Sequence, residues 1–287
     1  MPELPEVETI VRDLNKMILN KKIVDVEVRL DKIVRSQTRQ FVQICKGGRF
    51  KSITRRGKLL VFELNSKDRY LFIHLKMTGQ LIYSKNKKIV AGGHGQSRDI
   101  KELPNKYTHV IFYFYDGSKL FYNDLRRFGH LEIVNGKKME KILKKFGAEP
   151  LDKDFTLEKF RMLLQNKKGN VKAFLLDQKF IAGIGNIYAD ESLFEAGIMP
   201  TRNITSLEQQ EVKRLYKAVR KILKKAILRR GTTFNDYLDA QGNRGGFLKF
   251  LKVYHRAGEK CFLCKKGIIK KTKVAGRGTS FCSICQR

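Results

Sequence analysis

The chain is predicted to be an α+β multidomain protein, with an N-terminal antiparallel β-sandwich flanked by helices, a helical domain, and a C-terminal β-hairpin zinc finger. Three observations carry this. Short apolar or alternating runs recur between residues 23 and 134, helical periodicity takes over after Pro150, and two Cys-x2-Cys pairs close the sequence. The boundaries drawn from these shifts are 1–134, a linker at 135–150, a helical domain at 151–230, a flexible connection at 231–258, and the finger at 259–287.

The first element is a helix over 6–19, where Val7, Ile10, Val11, Leu14, Met17 and Ile18 follow the i, i+3, i+4, i+7 spacing of one buried face. Ahead of it stands MPELPEVET. If Met1 is removed, Pro2 becomes a chain-terminal secondary amine, a class that titrates near 7.7–8.0 and is partly unprotonated at neutral pH. Such an amine can attack a sugar or carbonyl carbon, with Glu3 and Glu6 as nearby proton donors and acceptors. The same residues also read as helix punctuation, with Pro5 in a first turn and Glu6 and Glu8 at the positive end of the dipole.

Strands follow at IVDVEVRL, FKSITRR, LLVFEL, YLFIHL, HVIFYFY and KLFY. Asp116-Gly117 marks a two-residue hairpin between the last two. Residues 84–106 read as a long loop or insertion. Cys45, alone in this region, reads as a small buried hydrophobe. Beyond Pro150 the helices fall at 156–167, 171–178 and 187–196, and Ser206 with Gln209 suggests a capping box opening a long helix. Gly183-x-Gly185 before Asn186 reads either as a turn offering N–H groups to an anion or as a close helix packing. Arg55-Arg56-Gly57-Lys58, at a strand turn, suits phosphates or plain solvation, and His74 reads as half-buried and satisfied.

Cys261 and Cys264 are separated by 17 residues from Cys282 and Cys285, the spacing of a two-knuckle structural zinc site with no open coordination position. Between the knuckles two strands flank Ala275-Gly276-Arg277-Gly278, which leaves the Arg277 guanidinium free to meet a phosphate or solvent. The charge points to a polyanionic partner: 60 Lys plus Arg against 28 Asp plus Glu give +32. Clustering of the cysteines argues against a disulfide framework, and no run of apolar residues is long enough to span a membrane, so a soluble, reduced, cytoplasmic protein is expected.

MPELPEVET, RRGK, HLKMTG, DLRRFG, GIGNIYADE, AGRGT and the terminal finger, in that order across nearly the whole chain, closely resemble the bacterial formamidopyrimidine-DNA glycosylase family. The resemblance implies a β-sandwich joined to a domain with a helix–two-turn–helix motif and a zinc finger, with duplex DNA in the cleft between them. It implies a monomer, associated with the nucleoid, that removes oxidised purines and then cleaves the strand. Pro2 would be the nucleophile at C1′, Glu3 the acid/base, and Glu6 a supporting carboxylate. Lys58, His74, Asn186 and Arg277 would grip phosphates. Met77, Arg126 and Phe128 would fill the gap left by the flipped base, with Arg126 facing the orphaned cytosine. Phe234, Asn235, Asp236 and Tyr237 would belong to the loop that recognises the everted base. The chain departs from the family in its one-residue longer spacer between knuckles, in Leu125 where proline is usual, and in residues 84–106. Two other readings remain: an endonuclease VIII-type enzyme for oxidised pyrimidines, and a non-catalytic zinc-containing DNA-binding protein.

Overall fold

The computed structural model describes residues 1–86, 88–93, 102–232 and 246–287. They form two compact units, residues 1–144 with 229–248 and residues 145–228 with 249–287. The helical segment and the finger thus share one unit, and the chain returns to the first unit at Arg229 before re-entering the second.

The first unit opens with α1 (Leu4–Ile18), whose buried face carries Val7, Ile10, Val11, Leu14 and Ile18, matching the sequence periodicity. Two antiparallel sheets follow. One has the order β1 (Ile23–Val28), β7 (Thr108–Phe114), β8 (Lys119–Asp124), β5 (Gly79–Lys85) and β6 (Lys88–Gly93). The other has the order β2 (Phe50–Arg56), β3 (Leu59–Leu64), β4 (Tyr70–His74) and β9 (His130–Val134). Their inner faces and α1 share one core, with Phe50 edge-on to Phe62 at 5.0 Å and to Phe112 at 5.9 Å. Each such buried ring is worth about 1.5–3 kcal/mol relative to exposure. Cys45 lies fully buried in this core, where burial pushes its thiol up to about 12, as a small hydrophobe requires.

The structure corrects several sequence expectations. Within 84–106, read as a loop, Lys88–Gly93 forms β6 and pairs with β5 through Lys85↔Lys88 to Gln80↔Gly93. The segment has too few apolar alternations to announce a strand. The 135–150 linker holds α3 (Gly136–Leu143), started by the Asn135 side chain accepting from the Lys138 amide. A helix at Thr38–Cys45, here α2, was not anticipated; it buries only Phe41 and Cys45, too sparse a stripe to read. The β7–β8 turn is closed by the Phe114 amide donating to the Ser118 carbonyl, so three residues turn rather than two. Gly117 has φ 78°, while Asp116 does not enter the left-handed region, which suits a type I turn with a glycine bulge.

The second unit is built on α6 (Asn186–Ala196), which is buried on nearly every side and therefore lacks a polar face. Around it lie α4 (Leu157–Leu164), capped by Thr156, α5 (Val171–Leu176), capped by Asn170, and α7 (Gln209–Leu228). Ser206 does not cap α7. It sits in a preceding 3-10 turn, and Glu211 instead accepts from the Glu208 amide at 3.0 Å. Glu191, fully buried, accepts the amides of Lys252 at 2.9 Å, Val253 at 3.0 Å and Tyr254 at 2.9 Å, pinning that segment to α6. Lys172 and Asp190, both inaccessible, pair at 2.6 Å, and Lys172 also donates to Thr279 Oγ1 at 2.6 Å. The finger's hairpin, β10 (Ile269–Val274) and β11 (Arg277–Cys282), is thereby tied to α5 and α6.

Candidate functional site

In the first unit the start of the chain is enclosed. Pro2, Glu3 and Glu6 are buried, and Glu6 at the third position of α1 accepts the Glu3 amide at 2.9 Å, a reciprocal capping box. The other oxygen of Glu6 accepts the Thr232 amide at 2.7 Å and its hydroxyl at 3.0 Å. Gly231, just before it, has φ +80°, and a Cβ there would stand 2.6 Å from that oxygen, so only glycine fits. Both punctuation and chemistry are therefore available to the same acids. Burial lowers the pKa of the Met1 amine, one residue ahead of Pro2; Glu3 and Glu6 oppose that shift, and the cations of Lys58 and Arg126 add to it. These four side chains thus converge on the start of the chain.

Lys58 is buried in the β2–β3 turn beside Gly57, which has φ 55°. Arg55 of the same basic run is used internally, donating to Glu8 at 2.8 Å, so the run does not act as one phosphate track. At the end of β4, His74 Nδ1 accepts the Lys76 amide at 3.0 Å, which places the ring proton on Nε2. Its ring lies 5.9 Å from that of His130. Burial first, then Lys76, His130, Lys58 and Arg35, hold His74 down to about 3. Burial, Arg35 and Lys76 hold His130 to about 4.

These two shifts predict a pH dependence. Histidines in the unfolded chain take up protons near 6.5, whereas the folded pair stays neutral until about pH 4 or below, so unfolding consumes protons between these limits. Stability should fall as pH drops through that window and be insensitive to these groups above it. His74→Gln should flatten the acid side of a plot of Tm against pH by about one proton's worth of slope. An unchanged slope would rule out the buried neutral ring.

Met77 lies half-buried in the β4–β5 connection, and Arg126 and Phe128 lie in the β8–β9 connection. Phe128 is 55% exposed and neighbouring Leu125 50%, and the Arg126 guanidinium stacks 4.6 Å above the Phe128 ring. An apolar wedge with a cation on its face is thus presented to solvent.

In the second unit, Asn186 opens α6 and its side-chain Nδ2 donates to the Gly278 carbonyl at 2.8 Å, so it adjoins the exposed Arg277. Gly183 does not offer a free N–H to an anion: its amide donates to Gln178 Oε1 at 2.8 Å. The hairpin turn is Ala275-Gly276 alone, with φ 50° and 73°, so Arg277 begins β11 opposite Val274 in an unbroken register. The longer spacer is absorbed without a bulge. The four Sγ atoms of Cys261, Cys264, Cys282 and Cys285 lie within 4.8 Å of one another, with Cys261–Cys285 at 3.7 Å and Cys264–Cys282 at 3.8 Å. A tetrahedron with metal–sulfur bonds of about 2.3 Å has edges of about 3.8 Å, so the thiols fit a zinc ion. A Cβ on Gly267 would meet Cys282 Sγ at 2.7 Å, so this knuckle also requires glycine.

Phe234, Asn235, Asp236 and Tyr237 lie outside the described residues. Sequence reasoning missed Thr232, Gly231, Asp124 and the Lys172–Asp190 pair. Only Gly231 carried a local sign, a glycine closing a helix; the others act through partners far away in the sequence. No helix among the described residues is long and apolar enough to cross a membrane.

Residues 1–131 match the formamidopyrimidine-DNA glycosylase N-terminal domain and residues 146–237 the formamidopyrimidine-DNA glycosylase H2TH domain. Proteins named formamidopyrimidine-DNA glycosylase from Desulfitobacterium hafniense and Carboxydothermus hydrogenoformans are 41% and 42% identical over 290 and 288 residues, with 100% of each chain covered. Among solved structures, the Lactococcus lactis Fpg with DNA containing an abasic site gives a TM-score of 0.87 at 34% identity, covering 99% of both chains. A variant of that protein with Fapy-dG containing DNA gives 0.87 at 35% identity over 100% of both.

Proposed function

Because the chain belongs to the formamidopyrimidine-DNA glycosylase family, we propose that it removes oxidised purines from duplex DNA through the amine of Pro2 and then cleaves the strand. The observation that carries this reading is the enclosed start of the chain, where buried Pro2 and Glu3 adjoin Glu6 and the neighbouring Met1 amine feels the charges of Glu3, Glu6, Lys58 and Arg126. Removal of Met1 leaves the Pro2 nitrogen as that amine. A secondary amine of this class is partly unprotonated at neutral pH, and the unprotonated form is the one that attacks.

The Pro2 nitrogen bonds to C1′ of the damaged nucleotide as the base departs, and Glu3 moves the proton that opening of the sugar ring requires. The resulting iminium makes the C2′ proton acidic. Its loss expels the 3′ phosphate, and a second elimination expels the 5′ phosphate. Glu6 holds the Glu3 amide and Thr232 and so keeps the start of α1 in place. Lys58 and the Nε2 proton of His74 suit phosphate oxygens, as do Asn186 and Arg277 on the other unit. Met77, Arg126 and Phe128 suit the space vacated by an extruded base, whose removal from the stack costs a few kcal/mol. The segment Phe234 to Tyr237 is proposed to read the extruded base.

The four cysteines hold one structural Zn²⁺, which supplies folding energy and takes no part in the reaction. The enzyme acts as a monomer in the cytoplasm, on nucleoid DNA. A substrate panel tests the assignment: excision of 8-oxoguanine and formamidopyrimidines opposite cytosine should exceed that of thymine glycol by more than about tenfold. The reverse order would make the enzyme a pyrimidine-specific relative.

A further inference from the structure

The two connections that carry the wedge are joined by one buried carboxylate. Asp124, the last residue of β8, is completely inaccessible. Its Oδ1 accepts the Thr78 hydroxyl at 2.5 Å and the Arg126 amide at 3.2 Å. Its Oδ2 accepts the Gly129 amide at 2.8 Å and the Tyr122 hydroxyl at 3.4 Å. Thr78, next to Met77, also accepts the Arg126 amide at 3.0 Å. The donors therefore come from both sides of the wedge: Thr78 from the Met77 connection, and Arg126 and Gly129 from the two flanks of Phe128. Backbone packing closes the arrangement, because a Cβ on Gly129 would overlap Tyr122 Oη and stand 2.7 Å from the His74 carbonyl.

All of these donors are neutral. A buried acid held only by neutral donors is a costly way to stabilise a fold, and an apolar side chain would fill the same space at less cost. What the carboxyl group adds is a rigid two-oxygen acceptor hub for N–H and O–H groups that otherwise belong to two independent loops. We propose that Asp124, together with Thr78, is a positioning residue that locks Met77, Arg126 and Phe128 into one preformed wedge, so that base extrusion does not have to order two loops at the moment of binding. Being completely inaccessible, Asp124 is not placed to meet DNA or the reacting atoms itself. The inference rests on the function proposed above and adds to it the element that keeps the wedge in register.

Asp124→Asn is the test, since it preserves size but turns an NH2 toward amides that need an acceptor. Single-turnover excision of 8-oxoguanine opposite cytosine should fall by about 10–100-fold, while cleavage at a preformed abasic site, where no base must be extruded, should fall by less than about threefold. The fluorescence rise of 2-aminopurine beside the lesion should be lost, and the preference for cytosine over adenine opposite the lesion should shrink. Thr78→Val should shift the same readouts in the same direction, and Thr78→Ser, which keeps the hydroxyl, should restore them. Equal loss of excision and abasic cleavage would mark Asp124 as a general fold residue and overturn the proposal. So would full excision by Thr78→Val, even if Asp124→Asn failed to fold. A wild-type protein that excised no oxidised purine would instead overturn the enzyme assignment itself.

Discussion

Blocking the Pro2 nitrogen, with an N-terminal tag or by retention of Met1, is expected to abolish covalent trapping on lesion DNA in the presence of sodium borohydride. Only an amine that has formed an iminium with the sugar can be reduced onto it, and an amide nitrogen has no lone pair to donate. Pro2→Gly keeps a terminal amine but loses the ring that fixes its direction, so trapping should weaken by about tenfold or more rather than vanish. Glu3→Gln should leave DNA binding intact and slow excision by about 10²–10⁴-fold, the usual range for a lost acid/base group. Non-covalent binding of the blocked protein to duplex DNA should persist, because the phosphate contacts proposed for Lys58, His74, Asn186 and Arg277 are untouched. Full trapping by a blocked protein would move the nucleophile elsewhere, with Lys58 the first candidate, since it is the buried amine whose charge reaches the start of the chain.

The second large effect concerns the finger. Its core is small, consisting of Phe194, Val253 and Ile269 packed with the cysteines, so although Lys172 and Asp190 tie the hairpin to the helices, a bound metal would be the main link between the two knuckles. A structural zinc site contributes about 10–16 kcal/mol, more than this core can replace. Cys261→Ser, or chelation of the wild-type protein, is therefore expected to release one zinc per chain and unfold the hairpin. Arg277 and the Gly278 contact to Asn186 go with it. The two phosphate hydrogen bonds proposed for Arg277 and Asn186, at about 1.5–3 kcal/mol each, would be lost, so duplex affinity should fall by about 100-fold or more at physiological salt. The β-sandwich, whose core is separate, should keep its own melting transition. Zinc release measured beside binding decides the point: a Cys261→Ser protein that keeps both its metal and its affinity would refute the structural role.

How much was legible beforehand depends on how local each signal was. The helix at Leu4–Ile18, most strands, the zinc spacing and the Ala275-Gly276 turn follow from neighbours within a few residues, and all can be read in order. The residues alone brought Pro2, Glu3, Glu6 and Lys58 forward and resemblance specified their roles, while in the structure Glu3, Glu6 and Lys58 all act on the Met1 amine. Elements with weak periodicity, such as α2, β6 and α3, escaped because tertiary packing rather than pattern decides them. The capping residue of α7 was misread for a related reason: Ser206 finds its partners in a turn with Asn203 and Arg202.

The amino-acid order by itself determined the class of the molecule: its polyanionic partner, its strand and helix content, its cysteine site and the chemistry of its first residues. Only the folded chain decided which carboxylates serve the reaction's scaffold. Glu6 meets Thr232 across 226 positions, and Asp124 meets Thr78 across 46. A buried acceptor must be satisfied by whichever donors the packed backbone brings within about 3 Å, and no periodicity along the chain encodes that meeting.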